Sequence, residues 1–180
     1  MPRRAIFLDR DGTVTVGVPT YDRVDSLDKV QLLPQSLEAL KLISSLDYLV
    51  FLVTNQAGIS EGLIDWSEFN RMNNKAISLI SPSGIKIAKT YVCPHSDQDN
   101  CDCRKPKPKL LIDAAKDYDL DLVNSWMIGD RPSDVMAGVN AGVNTILVLS
   151  GEPNVKCELA TVTLPTLYEA AQYLINHQTG

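Results

Sequence analysis

Two rhythms divide the chain: short unbroken apolar runs, and longer stretches in which apolar positions return every three or four residues. Residues 5–8, 48–53, 125–129 and 145–149 are largely apolar runs of strand length, 85–92 is a further strand candidate, and a shorter β-rich piece covers 160–164. Between them lie helical patterns. Leu37, Leu40, Ile43 and Leu46 share a face, with Ser36 as the expected cap. A second helix is predicted over 67–80, halted by Ser81-Pro82-Ser83-Gly84, and a third over 109–118. Pro132-Ser133-Asp134 opens a fourth that closes at Gly142, and Leu167, Ala170, Ala171, Leu174 and Ile175 mark the last. Residues 14–33 carry Gly17, Pro19 and several aspartates without a period, which predicts a long loop over a cleft.

Strands that alternate with helices imply parallel βαβ units with right-handed crossovers and helices on both faces. The fold class expected is α/β, a three-layer α/β/α doubly wound parallel sheet without a large cap domain. No repeat or linker divides the chain, so residues 1–180 are expected to form one domain.

Composition narrows the function. With 44% hydrophobic and 22% charged residues the chain has the balance of an ordinary globular protein. Its 17 basic and 22 acidic residues leave a net charge of -5, which disfavours steering toward nucleic acid or an anionic membrane. No apolar run approaches the ~20 residues of a membrane span, and Asp9 interrupts the first apolar stretch, so the cytoplasm is expected. Of four cysteines, three crowd into residues 93–103 while Cys157 stands alone, which suits a metal site better than a disulfide framework.

Polar clusters follow four of the strands: Asp9 with Asp11, Thr54 with Asn55, the stretch from Cys93, and Asp130 with Asp134. Each alone reads equally as a turn or a helix cap. In a parallel sheet these ends share one edge, so together they point to a cleft. Asp9, Asp11 and Asp130 form a hard oxygen set suited to Mg²⁺. Asp134, one helical turn on, is a ligand, a support for one, or a favourable charge at a helix N-terminus. Thr54 and Lys105 are groups that bind phosphoryl oxygens. Cys93, His95, Cys101 and Cys103 offer three thiolates and an imidazole within a loop over 93–103. That is a closed tetrahedral set for structural Zn²⁺, and its expected task is to fix the segment ahead of Arg104 and Lys105.

The segments Phe7-Leu8-Asp9-Arg10-Asp11-Gly12-Thr13, Val53-Thr54-Asn55-Gln56, Cys101-Asp102-Cys103-Arg104-Lys105-Pro106 and Ile128-Gly129-Asp130-Arg131-Pro132-Ser133-Asp134 resemble the haloacid dehalogenase (HAD) superfamily with its Rossmann-like sheet. More narrowly they resemble its zinc-containing branch, the D-glycero-D-manno-heptose 1,7-bisphosphate and histidinol-phosphate phosphatases. The resemblance implies an aspartyl-phosphate formed on Asp9, with Asp11 as acid and then base. It also implies Mg²⁺ held by Asp9, the carbonyl of Asp11 and Asp130, a phosphoryl cradle of Thr54 and Lys105, and a substrate side lined by Asn55, Arg104 and Arg131. An acid two residues after the nucleophile serves a leaving oxygen, which argues against dehalogenation.

The reading is a phosphomonoester hydrolase, removing the C7 phosphate of the heptose bisphosphate or, as the alternative, acting on histidinol phosphate. Its partner is a small phosphorylated metabolite, with no nucleic acid and no membrane, and the chain is expected to be a monomer. Selectivity should come from the 14–33 loop, the zinc loop and Arg104. Glu61, where the family carries arginine, and Lys109, where it carries glycine, bear on how the far end of the substrate is held. An inactive binding module would have lost an acid, and all three are present. A zinc module gripping nucleic acid through Arg104, Lys105, Lys107 and Lys109 conflicts with the acidic total and the lack of interleaved aromatics.

Overall fold

The computed structural model describes residues 2–17 and 26–177. Six strands run parallel in one sheet: β1 (Ala5–Leu8), β2 (Leu49–Asn55), β3 (Ile87–Cys93), β4 (Trp126–Gly129), β5 (Asn144–Val148) and β6 (Val162–Leu164). Their order, β3-β2-β1-β4-β5-β6, is that of a doubly wound sheet, and the order of winding switches between the parallel neighbours β1 and β4. The helices are α1 (Ser26–Lys29), α2 (Ser36–Ser44), α3 (Trp66–Ile80), α4 (Lys109–Tyr118), α5 (Pro132–Ala141) and α6 (Leu167–Asn176).

The inner strands are apolar without interruption because both of their faces are covered. Along β1, Ile6 and Leu8 join a layer with Leu40 and Ile43 of α2 and Leu167 and Leu174 of α6. Ala5 and Phe7 point the other way, to Leu110, Leu111 and Ala114 of α4. β2 divides identically, Val50 and Leu52 from Phe51 and Val53, as the period of two along a strand requires. Phe7, Leu8, Phe51 and Leu52 are fully buried, so truncating any of them should cost about 2–5 kcal/mol.

Three local expectations change. Ser36 is not the cap of α2: Gln35 holds that position in a left-handed conformation (φ 61), and the Ser36 hydroxyl instead donates to the carbonyl of Val14 at 2.9 Å. Ser36 is the first residue inside the helix, one position past the cap, and its hydroxyl satisfies a carbonyl of the loop after β1. The 14–33 segment is not loop throughout. It contains α1, and Val30 packs with Met72 and Ala76 of α3, while residues 18–25 lie outside the described ones. Ile175 lies at the edge of α6 and is 38% exposed, so the buried stripe ends at Leu174. The α4 and α5 boundaries and the Gly142 stop (φ 79) agree with the pattern.

Candidate active site

The carboxyl edge of the sheet gathers side chains that lie far apart in sequence. Asp9 follows β1, and its N–H donates to the carbonyl of Ile128 in β4 at 2.9 Å, so the first and fourth strand ends are tied together. Asp130 follows β4 directly, and Asp134 sits on the first turn of α5. Each of these three offers a carboxylate oxygen within 4.8 Å of the other two. They are 7%, 2% and 2% exposed, so water does little to screen their mutual repulsion.

Lys105 reaches into this group. Its ammonium lies 2.6 Å from Asp9 and 2.6 Å from Asp134, donates to the carbonyl of Val53 at 2.8 Å, and is 3% exposed. Asn55, at the end of β2, clamps the lysine's own backbone: its side-chain oxygen accepts from the Lys105 N–H and its amide donates to the Lys105 carbonyl, both at 3.1 Å. The amide expected to line the substrate side is therefore engaged at both ends in positioning Lys105. Thr54 is buried beside it.

Burial drives the Asp9 carboxyl well above its usual range. Lys105 pulls it back, and the neighbouring Asp134 and Asp130 add to the rise. Asp130 is raised by burial and then by Asp134. For Lys105, burial alone would lower the ammonium, but Asp134 and Asp9 outweigh it and the net shift is upward. Three carboxylates against one ammonium leave two negative charges uncompensated in a buried place. An all-oxygen donor set with that surplus fits a hard divalent cation.

Two glycines let the backbone close in on Asp130. A Cβ on Gly12 (φ 93) would stand 2.4 Å from its Oδ2, and one on Gly151 would stand 1.9 Å away. Ser150 adds a hydroxyl bond to the Gly12 carbonyl at 2.8 Å, and the Thr13 hydroxyl donates to Asp130 at 3.3 Å. The loop after β5 thus belongs to the site although nothing in its sequence stands out beyond a Ser-Gly pair following an apolar run.

Asp11 stands outside the trio. Its carboxylate accepts from Arg10 Nε at 3.1 Å and Arg10 Nη2 at 2.8 Å, from Gln56 Nε2 at 2.7 Å, and from the Thr15 hydroxyl at 3.2 Å. Gln56 Nε2 also donates to Thr54 Oγ1 at 2.9 Å. Arg10 and Gln56 lie within the motifs, yet sequence reasoning assigned neither of them a contact.

Cys93, His95, Cys101 and Cys103 converge as their spacing implies. The sulfurs lie 3.0, 3.5 and 3.7 Å apart and His95 Nδ1 is 3.3 and 3.7 Å from Cys103 and Cys93. Four ligands about 2.0–2.3 Å from a central ion have edges of about 3.5–3.8 Å, so the donors already outline a tetrahedron with no open corner. Burial pushes the Cys93 thiol up, an energetic cost that a bound cation would offset. Arg104 is held by this loop: its guanidinium bonds Asp97 at 2.6 and 3.4 Å and the carbonyl of His95 at 3.1 Å. Arg131 is different. Its guanidinium is exposed, 3.7 Å from Glu152, and its backbone N–H donates to Asp134 at 3.0 Å. Cys157 lies apart, half-buried, and His177 is exposed and stacked on Tyr173.

Acids after the first and fourth strands, a buried hydroxyl near the end of the second and a lysine between them make an edge suited to phosphoryl groups in a doubly wound sheet. A family model described as HAD-hydrolase-like matches residues 102–171. The D-glycero-beta-D-manno-heptose-1,7-bisphosphate 7-phosphatase of Pasteurella multocida is 37% identical over 158 residues, 84% of each chain. The histidine biosynthesis bifunctional protein HisB of Blochmanniella floridana is 35% identical over 81% of this chain, which spans 41% of that protein. The structure of the D,D-heptose 1,7-bisphosphate phosphatase from B. bronchiseptica, complexed with magnesium and phosphate, superposes with a TM-score of 0.86 at 31% identity. It covers 96% of this chain and 98% of that one. The chain belongs to the haloacid dehalogenase-like hydrolases, in the phosphatase family of the heptose-1,7-bisphosphate 7-phosphatases.

Proposed function

We propose that the protein hydrolyses a phosphomonoester through an aspartyl-phosphate on Asp9, and that its substrate is D-glycero-D-manno-heptose 1,7-bisphosphate, losing the C7 phosphate. The observation that carries this reading is the buried meeting of Asp9, Asp130, Asp134 and Lys105 at the carboxyl edge, beside Thr54. A carboxylate oxygen of Asp9 attacks phosphorus as the bond to the sugar oxygen breaks, and Asp11 gives that oxygen its proton. Asp11 then takes a proton from the water that attacks the phosphoryl group, and the bond to Asp9 breaks to return its carboxylate. Lys105 and Thr54 neutralise and orient the phosphoryl oxygens, and Asn55 keeps Lys105 in place.

Asp9, Asp130 and the main chain of Asp11 would hold Mg²⁺, which supplies charge stabilisation to the phosphoryl oxygens when bound. Support comes from the two uncompensated charges of the trio and from the magnesium and phosphate named for the B. bronchiseptica structure. Asp134, bonded to Lys105 and to the first turn of α5, acts in this reading as the counter-ion that keeps the lysine charged and aimed. Cys93, His95, Cys101 and Cys103 would hold Zn²⁺ in a structural role, fixing Arg104 at the substrate side, with Arg131 on the outer rim. The chain works as one catalytic domain on a small metabolite in the cytoplasm, as a monomer. Among the described residues no helix is long and apolar enough to cross a membrane.

A second reading, histidinol phosphate as substrate, is supported by the likeness to HisB. A turnover panel with Mg²⁺ that compares the heptose bisphosphate, histidinol phosphate and simple sugar phosphates chooses between them. The heptose compound is expected to lead; failure on every phosphomonoester would refute both.

A further inference from the structure

Arg10 is an arginine in the wrong place for a surface cation. It sits between the two motif aspartates and is 3% exposed, and its Nη1 has no hydrogen-bond partner among the described residues. Burying a guanidinium costs free energy unless its bonds repay it, so a buried one calls for a reason. Its whole polar effort goes to one neighbour. Nε and Nη2 form a two-pronged pair with the two oxygens of Asp11 at 3.1 and 2.8 Å, the fork geometry that fixes a carboxylate's plane as well as its place. The guanidinium rests 5.5 Å from the ring centre of Phe69, itself buried on α3, so the fork has a shelf beneath it. Gln56 closes the other side, donating to Asp11 Oδ2 while also bonding Thr54.

We propose that Arg10 is the positioning residue for Asp11: it touches neither phosphate nor leaving group, and it sets the direction in which the Asp11 carboxyl passes and takes protons. This rests on the reading of Asp11 as the acid and base. The consequence is selective. A strongly basic sugar alkoxide needs its proton as the bond to phosphorus breaks, whereas p-nitrophenolate leaves without one. Both substrates, however, need Asp11 as base when water attacks the aspartyl-phosphate. Misaligning Asp11 should therefore slow release of an alkyl leaving group, spare release of p-nitrophenolate, and slow the hydrolytic half of both reactions.

The test uses the full-length, metal-loaded enzyme with p-nitrophenyl phosphate and with whichever alkyl phosphate the wild type turns over best. Arg10→Met is expected to lower kcat on the alkyl phosphate by about 10²-fold with KM changed by less than about threefold. On p-nitrophenyl phosphate it should show a burst of nitrophenolate near one equivalent per enzyme, followed by a slowed steady rate. Arg10→Lys, which restores a charge but not the fork, should fall between. Equal losses on both substrates with no burst, or turnover unchanged or raised, would overturn the proposal. If Arg10→Met fails to fold, the same two measurements on Arg10→Lys decide. Asp11→Asn is run alongside: if it too lacks the leaving-group difference, the reading of Asp11 fails. If it shows that difference and the Arg10 variants do not, only the role of Arg10 fails.

Discussion

Removing Lys105 tests the electrostatic reading most directly. Lys105→Met keeps the stem's volume but deletes the ammonium that bridges two of the three buried carboxylates. Each of its two ion pairs at 2.6 Å is worth on the order of 6 kcal/mol in an effective dielectric near 20, and desolvation of the lysine cancels much of that. Breaking a buried pair from one side leaves a net loss of about 3–5 kcal/mol. The loss should depend on pH. Asp9 and Asp130 have folded carboxyl groups raised above their unfolded values, Asp9 well above, so the folded state holds extra protons between the ordinary carboxylate range and those raised values, and stability falls as pH rises through that window. Lys105 is shifted upward from an already high value, so it stays charged at neutral pH and its contribution is lost only in strong base. Without it the carboxylates hold their protons still more firmly, and the variant should lose more stability at pH 8 than at pH 5. Urea unfolding at both pH values measures this in metal-free protein. Asp9→Asn in the same background should recover about 1–3 kcal/mol, since it removes one of the stranded charges. A loss below about 1 kcal/mol, or strictly additive single and double variants, would refute the reasoning.

Asp9→Asn alone should reduce turnover by more than about 10³-fold while the protein stays folded, since an amide is a poor nucleophile; full activity would overturn the mechanism. Mg²⁺ should raise the melting temperature more at pH 8 than at pH 5, because the raised carboxyls of Asp9 and Asp130 must shed protons to bind it, and calorimetry should record a proton release that grows as the pH is lowered. Gly151→Ala drives a methyl into Asp130 and should weaken Mg²⁺ binding at least tenfold, readable as a higher Mg²⁺ concentration for half-maximal rate. On the proposed structural role of Zn²⁺, Cys101→Ser should lose the metal by elemental analysis and lower activity through the loosened Arg104 and Lys105 segment, although serine leaves Asp9 and Asp130 untouched. Unchanged metal content and turnover would sink the structural role.

The elements were legible because both covered faces of the sheet demand apolar strands, and the covering helices demand a 3.6-residue stripe. Residues 5–8, 109–118 and 132–142 therefore declare themselves before any contact is known. The convergence of Cys93, His95, Cys101 and Cys103 was legible for a local reason: four metal-ligating side chains within eleven residues have little else to do. Tertiary structure decided what depends on relative placement. Asp134 pairs with Lys105 because the end of β4 and the segment after the 93–103 loop approach the same point, and Asn55, expected on the substrate side, also clamps that lysine's backbone. Gly151 meets Asp130, and Ser36 meets Val14, across gaps in sequence that no pattern spans. A chain's periodicity records which face of each element must leave water, and that is a local requirement. Which charged groups end up sharing one buried volume is settled only when the sheet has formed, and the raised carboxyls of Asp9 and Asp130 follow from that sharing.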